Sequence, residues 1–79
     1  MQRTENERRT RALNKEAIAK KMRELRGNRT QEEVSKAIRI SGSALSAYET
    51  GERIPRDEVK LRIARYYNES VENIFFATE

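Results

Sequence analysis

The apolar residues near the start of the chain recur at helical spacing. Ile18, Met22 and Leu25 stand at positions i, i+4 and i+7, which places them on one face of a helix over 15–26. Asn14 precedes this segment and is a suitable N-cap, because its side-chain oxygen can accept a hydrogen bond from a free amide of the first turn. A Gly-Asn pair follows the segment and ends it. The pattern therefore predicts an amphipathic first helix.

A second helix begins at a capping box. The Thr30 side chain can accept a hydrogen bond from the amide three residues on, and the Glu33 side chain can reach back to the Thr30 amide. Val34, Ala37 and Ile38 then fall on one helical face, while the charged residues between them face water. A helix this short is not stable alone. We therefore expect its apolar face to pack on the rest of the chain.

A third helix, over about 42–49, follows a short break. Ser41 is its N-cap, and Leu45 and Tyr48 form its apolar side at positions i and i+3. Gly51 suits the left-handed residue just beyond a helix end. The other side of this helix carries small residues: Gly42, Ser43, Ser46 and Ala47. A helix with such a side can approach another surface closely, as a recognition helix does in the DNA major groove.

Two further helices are predicted after Pro55. Asp57 is placed to cap the fourth helix, and Asn68 is placed to end it in a left-handed conformation. Ser70 caps a short fifth helix, and Phe76 lies outside the apolar face of that helix. The residues turned inward in these two helices are Val59, Ile63, Tyr67, Val71, Ile74 and Phe75. Since no segment shows strand alternation, the predicted fold class is all-α with five helices.

A set of residues between positions 30 and 55 has a spacing found in a known family. These residues are Gln31, Val34, Ser35, Ile40, Ser41, Leu45, Ser46, Tyr48, Glu49, Gly51 and Pro55. They resemble the Xre/Cro-type helix-turn-helix of phage repressors and small bacterial regulators, and with the tail the resemblance covers about 18–76. It implies a five-helix, phage-repressor-like DNA-binding domain of the short single-domain subgroup, with the helix-turn-helix at helices two and three. Two positions depart from the family pattern, which usually has Gly where Arg39 stands and Ala where Ser35 stands.

The resemblance also implies which residues meet DNA. The helix over 42–49 becomes the recognition helix in the major groove, and its candidates for base contact are Gly42, Ser43, Ser46 and Ala47. The candidates for contact with the DNA backbone are Gln31, Arg39, Ser41, Thr50 and Arg53. A Ser43 hydroxyl can face donors or acceptors, and an Ala47 methyl can pack on a thymine methyl, but neither makes a bidentate contact. We therefore expect weak direct readout per residue and a larger part for DNA shape.

The sequence leaves some of these roles open. Gln31 is either a phosphate contact, which the family pattern favours, or a solvent-facing residue of the first helical turn. Arg39 points out of the turn, either toward a phosphate or into solvent. Glu49 is the carboxylate that in the family commonly pairs with an arginine of the first helix, and Arg26 is the matching residue here. We expect that pair to fix helix orientation rather than to form a site.

The basic charge is concentrated ahead of the helix-turn-helix. The formal net charge of the chain is +4. Residues 1–29 contain ten Lys and Arg against four Asp and Glu, a net charge of +6, whereas residues 30–79 contain seven against nine, a net charge of −2. Basic residues in this place suit phosphate contact. We predict a basic N-terminal arm over 1–14, flexible or extending the first helix, and a helix-turn-helix domain over 15–79.

The composition argues against an enzyme or a metal protein. The chain contains neither His nor Cys, so it lacks the usual general base and thiolate ligands. The absence of Cys also fits a reducing cytoplasm, and no apolar run approaches the roughly 20 residues of a membrane span. We therefore expect a cytoplasmic protein that needs no cofactor, no metal and no small-molecule ligand.

The resemblance and the charge together predict a transcriptional regulator that binds double-stranded DNA sequence-specifically, most simply as a repressor. Since one copy offers only weak readers, we expect a homodimer on a pseudo-palindromic site. Phe76 is the candidate for the dimer contact, although it could instead fold back over the domain. The alternative is a protein-interaction module on the same scaffold, such as an antitoxin or the partner of a regulator.

Overall fold

A computed structural model describes residues 14–76 of the chain. Within this range the chain forms four α-helices and one π-helical segment, without strands: α1 (Lys15–Arg26), α2 (Gln31–Ile38), α3 (Gly42–Thr50), α4 (Asp57–Tyr67) and the π segment (Glu72–Phe76). The predicted all-α class with five helical segments is confirmed. The predicted arm lies outside the described residues, apart from Asn14 at its end.

Four of the helical segments begin at the predicted capping side chains. The accepting oxygens and donating amides are Asn14 Oδ1 with Ala17 N (3.0 Å), Thr30 Oγ1 with Glu33 N (3.1 Å), Ser41 Oγ with Ala44 N (3.0 Å), and Ser70 Oγ with Asn73 N (3.0 Å). Each bond satisfies an amide that has no partner within its own helix. The starts of these segments are therefore fixed by residues three positions apart in the sequence.

The start of α4 differs from the prediction. Asp57 is the first helical residue rather than the cap, and Arg56 occupies the cap position without a side-chain hydrogen bond. The first turn of α4 is instead held by a backbone hydrogen bond, in which the Lys60 amide donates to the Arg56 carbonyl at 2.9 Å. Asp57 and Glu58 still favour this start, because negative charge in the first turn lies near the unpaired amides. The carboxylate therefore acts through the helix dipole and not as a cap.

The turn between α2 and α3 is made by a residue in the left-handed conformation. Arg39 has φ 63° and ψ 50°, at a position where the family pattern usually has Gly. Its amide donates to the carbonyls of Lys36 and Ser35 and so closes the end of α2. A non-glycine residue in this conformation costs about 1 kcal/mol. Asn68 ends α4 in the same way, at φ 58° and ψ 45°.

One hydrophobic core joins all five segments. Its buried members are Ile18, Met22, Val34, Ile38, Leu45, Tyr48, Val59, Ile63, Ala64, Ile74 and Phe75. α3 packs on both α1 and α2, while α4 packs on α2 and the π segment packs on α1. α3 is thus held from behind by two helices and keeps one side toward solvent.

Some sequence-based assignments of buried residues were wrong. Ala37 was expected in the core but is exposed, and Ser35 is buried on that side of α2 instead. Tyr67 is only partly buried. Lys60 was not expected inside, yet it is 8% exposed. Its ammonium group lies 3.5 Å from the Asp57 carboxylate, so the aliphatic part of the side chain is covered while the charge stays paired.

Because Arg39 is held in the left-handed conformation, we expect Arg39→Gly to raise the free energy of unfolding by about 1 kcal/mol. Urea denaturation of the full chain measures this change. Asn68→Gly is the matched control and should gain less, since Asn tolerates the left-handed conformation better than Arg. A lower unfolding free energy for Arg39→Gly would show that contacts of the arginine side chain outweigh the backbone strain.

Candidate nucleic-acid interface

The solvent-facing side of α3 consists of small polar residues. Ser43, Ser46 and Thr50 lie at i, i+3 and i+7 on one side of the helix, with Ser43 and Thr50 exposed and Ser46 partly exposed. Gly42 opens the helix, and a Cβ atom built on it would meet no atom within 4 Å. The N-terminal half of α3 therefore presents its backbone and two hydroxyls to solvent without any bulky side chain in front of them.

Ala47 does not belong to this exposed side. Its exposed fraction is 7%, although its position on the helix faces away from Leu45. The loop after α3 folds back on this turn, because the amides of Glu52 (2.9 Å) and Arg53 (3.3 Å) both donate to the Ala47 carbonyl. The expectation that the Ala47 methyl is available to a base edge is therefore wrong for this structure.

The hydroxyls of Ser41 and Thr50, at the two ends of α3, differ in whether their hydrogen is free to bind a phosphate. Ser41 accepts a hydrogen bond from the Ala44 amide at 3.0 Å, so its own hydroxyl hydrogen remains available to a phosphate oxygen. Thr50 instead donates its hydroxyl hydrogen to the Ala47 carbonyl at 3.2 Å. A phosphate accepts hydrogen bonds and does not donate them at neutral pH. The geometry therefore favours Ser41 over Thr50 as a donor to a DNA backbone.

A buried carboxylate lies behind α3. Glu49 is 2% exposed, and its two carboxylate oxygens accept from Arg26 Nε at 3.1 and 2.9 Å. This is the pair that the sequence predicted. Arg23 was not expected here, but its Nη1 donates to the Glu49 carbonyl at 2.7 Å. A single residue of α3 is thus bound by two arginines of α1.

Gln31 also takes part in this cluster. Its Nε2 donates to Glu49 Oε1 at 2.9 Å, so the side chain is neither free in solvent nor fully available to a phosphate. An amide nitrogen carries two hydrogens, and one of them remains when the other binds Glu49. Gln31 is also the first residue of α2, where free backbone amides lie close by. We call Glu49, Arg23, Arg26 and Gln31 the Glu49 cluster.

Arg53 lies beside α3, in the loop that follows it. Its guanidinium group is 5.7 Å from the centroid of the Tyr48 ring, within the range of a cation–π contact. Tyr48 is 5% exposed, so it supports the arginine from the protein interior. Arg53 remains exposed to solvent. The charge is thus held beside Tyr48 and stays exposed to solvent, which leaves it available for a backbone contact.

Arg39 lies in the turn between α2 and α3 and contacts α4. It lines a cavity together with residues of α4, and its carbonyl accepts from Arg62 Nη1 at 3.2 Å. The same Arg62 atom donates to the Ile38 carbonyl at 3.0 Å. Sequence reasoning missed Arg62, because no local signal links it to the end of a helix more than twenty positions earlier.

The tyrosines of α4 lie at the edge of the core. Arg29 lies 5.4 Å from the Tyr66 ring centroid and 5.6 Å from that of Tyr67. The Tyr67 hydroxyl is buried and has no hydrogen-bond partner in the described part of the chain. Burial, with a smaller contribution from the charge of Glu49, raises the pKa of Tyr67 to about 12. This hydroxyl stays neutral at physiological pH.

The described residues show neither of two other kinds of site. Between positions 14 and 76 no group of three acidic, His or Cys side chains is arranged to hold a metal ion. Over that same span, each helix is too short or too polar to cross a membrane.

Similarity to known proteins is found at the level of a family. A family model described as helix-turn-helix matches residues 20–74, which is more than half of the 79 residues. No curated protein and no solved structure matches the chain. The matched range contains α2 and α3 completely, together with the exposed side of α3.

We expect Glu49→Gln to destabilise the domain, because it leaves the partly buried Arg26 beside a neutral amide. Removing one member of a largely buried ion pair is costly, and since Arg26 keeps some contact with solvent we expect a loss of about 2–3 kcal/mol. Urea denaturation measures this loss of unfolding free energy. Glu32→Gln is the matched control, since Glu32 pairs with Lys36 on the exposed side of α2, and it should change stability by less than about 0.5 kcal/mol. Equal effects of the two substitutions would contradict a structural role for Glu49.

Proposed function

The chain belongs to the Xre/Cro-type helix-turn-helix family of DNA-binding transcription regulators, and we propose that α3 enters the major groove of duplex DNA and reads it as a repressor. The observation that carries the proposal is the open N-terminal half of α3, where nothing stands in front of Gly42. An α-helix is about 10–12 Å across with its side chains, and this diameter suits a major groove about 12 Å wide.

Base contacts then fall to Ser43 and Ser46, with Gly42 allowing close approach. A serine hydroxyl can donate or accept, so neither residue demands one particular base. Ala47 is left out of the proposed contact because it is covered. Reading by two serines should discriminate weakly, and the sequence dependence of groove shape then contributes much of the preference.

Backbone contacts on either side of α3 fix its position in the groove. Ser41 offers a free hydroxyl hydrogen, Gln31 offers its second amide hydrogen, and Arg53 offers a guanidinium group. The donors at Gln31 and Ser41 lie at the starts of α2 and α3, where helix dipoles also favour a phosphate. Thr50 and Arg39 contribute less, since the Thr50 hydroxyl already donates to the Ala47 carbonyl and Arg39 lines a cavity beside α4.

In this proposal the protein represses transcription by occupying its binding site on the DNA. A protein bound in the major groove blocks other proteins from the same stretch of DNA, and this requires no enzymatic step and no cofactor. The basic residues of 1–29 add phosphate contacts and raise affinity for any sequence.

A second copy of the chain completes the proposed DNA-binding unit. Two large apolar side chains of residues 14–76 are exposed, Leu61 at 49% and Phe76 at 42%, and both line one shallow cavity of about 210 Å³ with Val71. Phe76 therefore does not fold back into the core. Lys60 supports its ring from below, with the ammonium group 5.0 Å from the ring centroid. Covering this apolar patch with its symmetry mate would place two α3 helices on one DNA molecule.

The proposal for α3 predicts that Ser43→Gln changes the DNA sequence selected from a random pool, because a longer amide can make a bidentate contact with adenine. Arg53→Ala is the matched control. It should keep the parental consensus while it lowers affinity for every sequence and reduces the slope of log affinity against log salt by about 0.9. An unchanged consensus for Ser43→Gln would mean that another element reads the bases. Ala47→Gln is not an equivalent test, since its position is buried and the domain should lose stability.

The dimer proposal predicts two protomers on a palindromic duplex in analytical ultracentrifugation. Phe76→Ser and Leu61→Ser should each weaken binding of the second protomer while the melting temperature of the free protein holds, because both side chains are already exposed. Lys36→Ser, exposed on α2, is the control and should leave the stoichiometry unchanged. One protomer per duplex at saturating protein would rule the dimer out, even if α3 reads DNA as proposed.

A further inference from the structure

A groove separates the C-terminal end of α2 from the outer side of α4. It encloses about 360 Å³ and is lined by Ala37, Ile38, Arg39, Arg62, Arg65 and Tyr66. None of these residues lies on the exposed side of α3, and only Arg39 was considered for DNA contact. The groove therefore needs an explanation separate from DNA reading.

Arg62 forms a fixed wall of the groove. It donates to the carbonyls of Ile38 and Arg39, which are the last acceptors of α2, and its other terminal nitrogen lies 3.6 Å from the Glu58 carboxylate. A positive charge at a helix C-terminus is favoured by the helix dipole. The charge of Arg62 is thus already paired with Glu58. Its side chain forms one wall of the groove and is not free to bind an anion.

The other two arginines of the groove differ from Arg62 in this respect. Arg39 and Arg65 are exposed, and among residues 14–76 no carboxylate oxygen lies within 4 Å of either guanidinium group. Arg39 is also held in the left-handed conformation, which fixes the direction in which its side chain leaves the turn. The groove therefore presents two guanidinium groups that have no acidic partner in the described part of the chain.

The space between these guanidinium groups is lined by apolar atoms. The Ala37 methyl is exposed here, although the sequence pattern placed it on the apolar side of α2. The partly exposed Tyr66 completes the apolar lining, and its ring centroid lies 5.4 Å from Arg29; the Ile38 side chain belongs to the core instead. An apolar floor between two positive charges suits a ligand that combines acidic and apolar groups.

We propose that this groove binds a short acidic segment of another protein, with carboxylates paired to Arg39 and Arg65 and an apolar side chain between Ala37 and Tyr66. Charge complementarity favours an acidic ligand, and guanidinium groups bind carboxylates in a bidentate manner. The apolar floor favours a polypeptide over a DNA backbone, whose phosphates would leave the exposed Ala37 without an apolar partner. The proposal does not depend on how α3 reads DNA.

The test uses the full chain and a labelled synthetic peptide in which Asp and Leu alternate. A peptide with Asn in place of Asp is the control ligand. Fluorescence anisotropy measures affinity, and amide chemical shifts of the protein show where the peptide binds. We expect the acidic peptide alone to bind, with shifts concentrated at 37–39 and 62–66. Arg65→Ser and Arg39→Asn should each weaken binding of the acidic peptide about five-fold. Asn is chosen at position 39 because it tolerates the left-handed conformation of the turn.

Arg53→Ser is the matched protein control, because it removes an exposed arginine outside the groove. It should lower DNA affinity and leave peptide affinity unchanged, while Arg65→Ser should do the reverse. Several results would overturn the proposal: no binding of the acidic peptide, equal binding of the Asn peptide, or an equal loss in Arg53→Ser. If duplex DNA shifts residues 62–66 and displaces the peptide, the groove is part of the nucleic-acid surface instead.

Discussion

The position of α3 depends on one buried carboxylate. Glu49 is almost fully covered and accepts hydrogen bonds from Arg26 and Gln31, while Arg23 binds its main-chain carbonyl. These contacts connect α3 to α1 and to the start of α2. A buried charge with incomplete pairing is costly, so alternative positions of α3 that break these bonds are disfavoured. Hydrophobic packing alone is less directional, and the Glu49 cluster supplies the orientation that a reading helix needs.

The same cluster limits what the surface can offer to DNA. The Gln31 side-chain amide donates one of its hydrogens to Glu49. In the loop after α3, the amides of Glu52 and Arg53 donate to the Ala47 carbonyl. What remains outside is a small, polar face with few strong hydrogen-bonding groups. Such a face allows close approach and little discrimination between bases. This explains why the proposed function relies on phosphate contacts, on DNA shape and on a second copy of the chain.

Two arginines bind the C-terminal ends of helices that lie far from them in the chain. Two other arginines place positive charge on two different surfaces. Arg23 of α1 binds the carbonyl of Glu49 near the end of α3, and Arg62 of α4 binds the carbonyls at the end of α2. Each satisfies acceptors that a helix leaves unpaired. Arg53, by contrast, is held on Tyr48 beside α3, and Arg39 lies over the groove along α4. A net charge of the whole chain does not reveal this division.

The sequence by itself determined the helices and the caps at Asn14, Thr30, Ser41 and Ser70. Each depends on groups within a few positions, so local spacing contains the information. The family resemblance added the Arg26–Glu49 pair, which helical periodicity alone does not show. Only the tertiary structure decided the rest: the covered Ala47, the buried Lys60, the Gln31–Glu49 bond and the groove built around Arg62. These features require segments distant in the chain to meet, and a hydrophobic pattern specifies which side of a helix is buried, not which polar group lies against it.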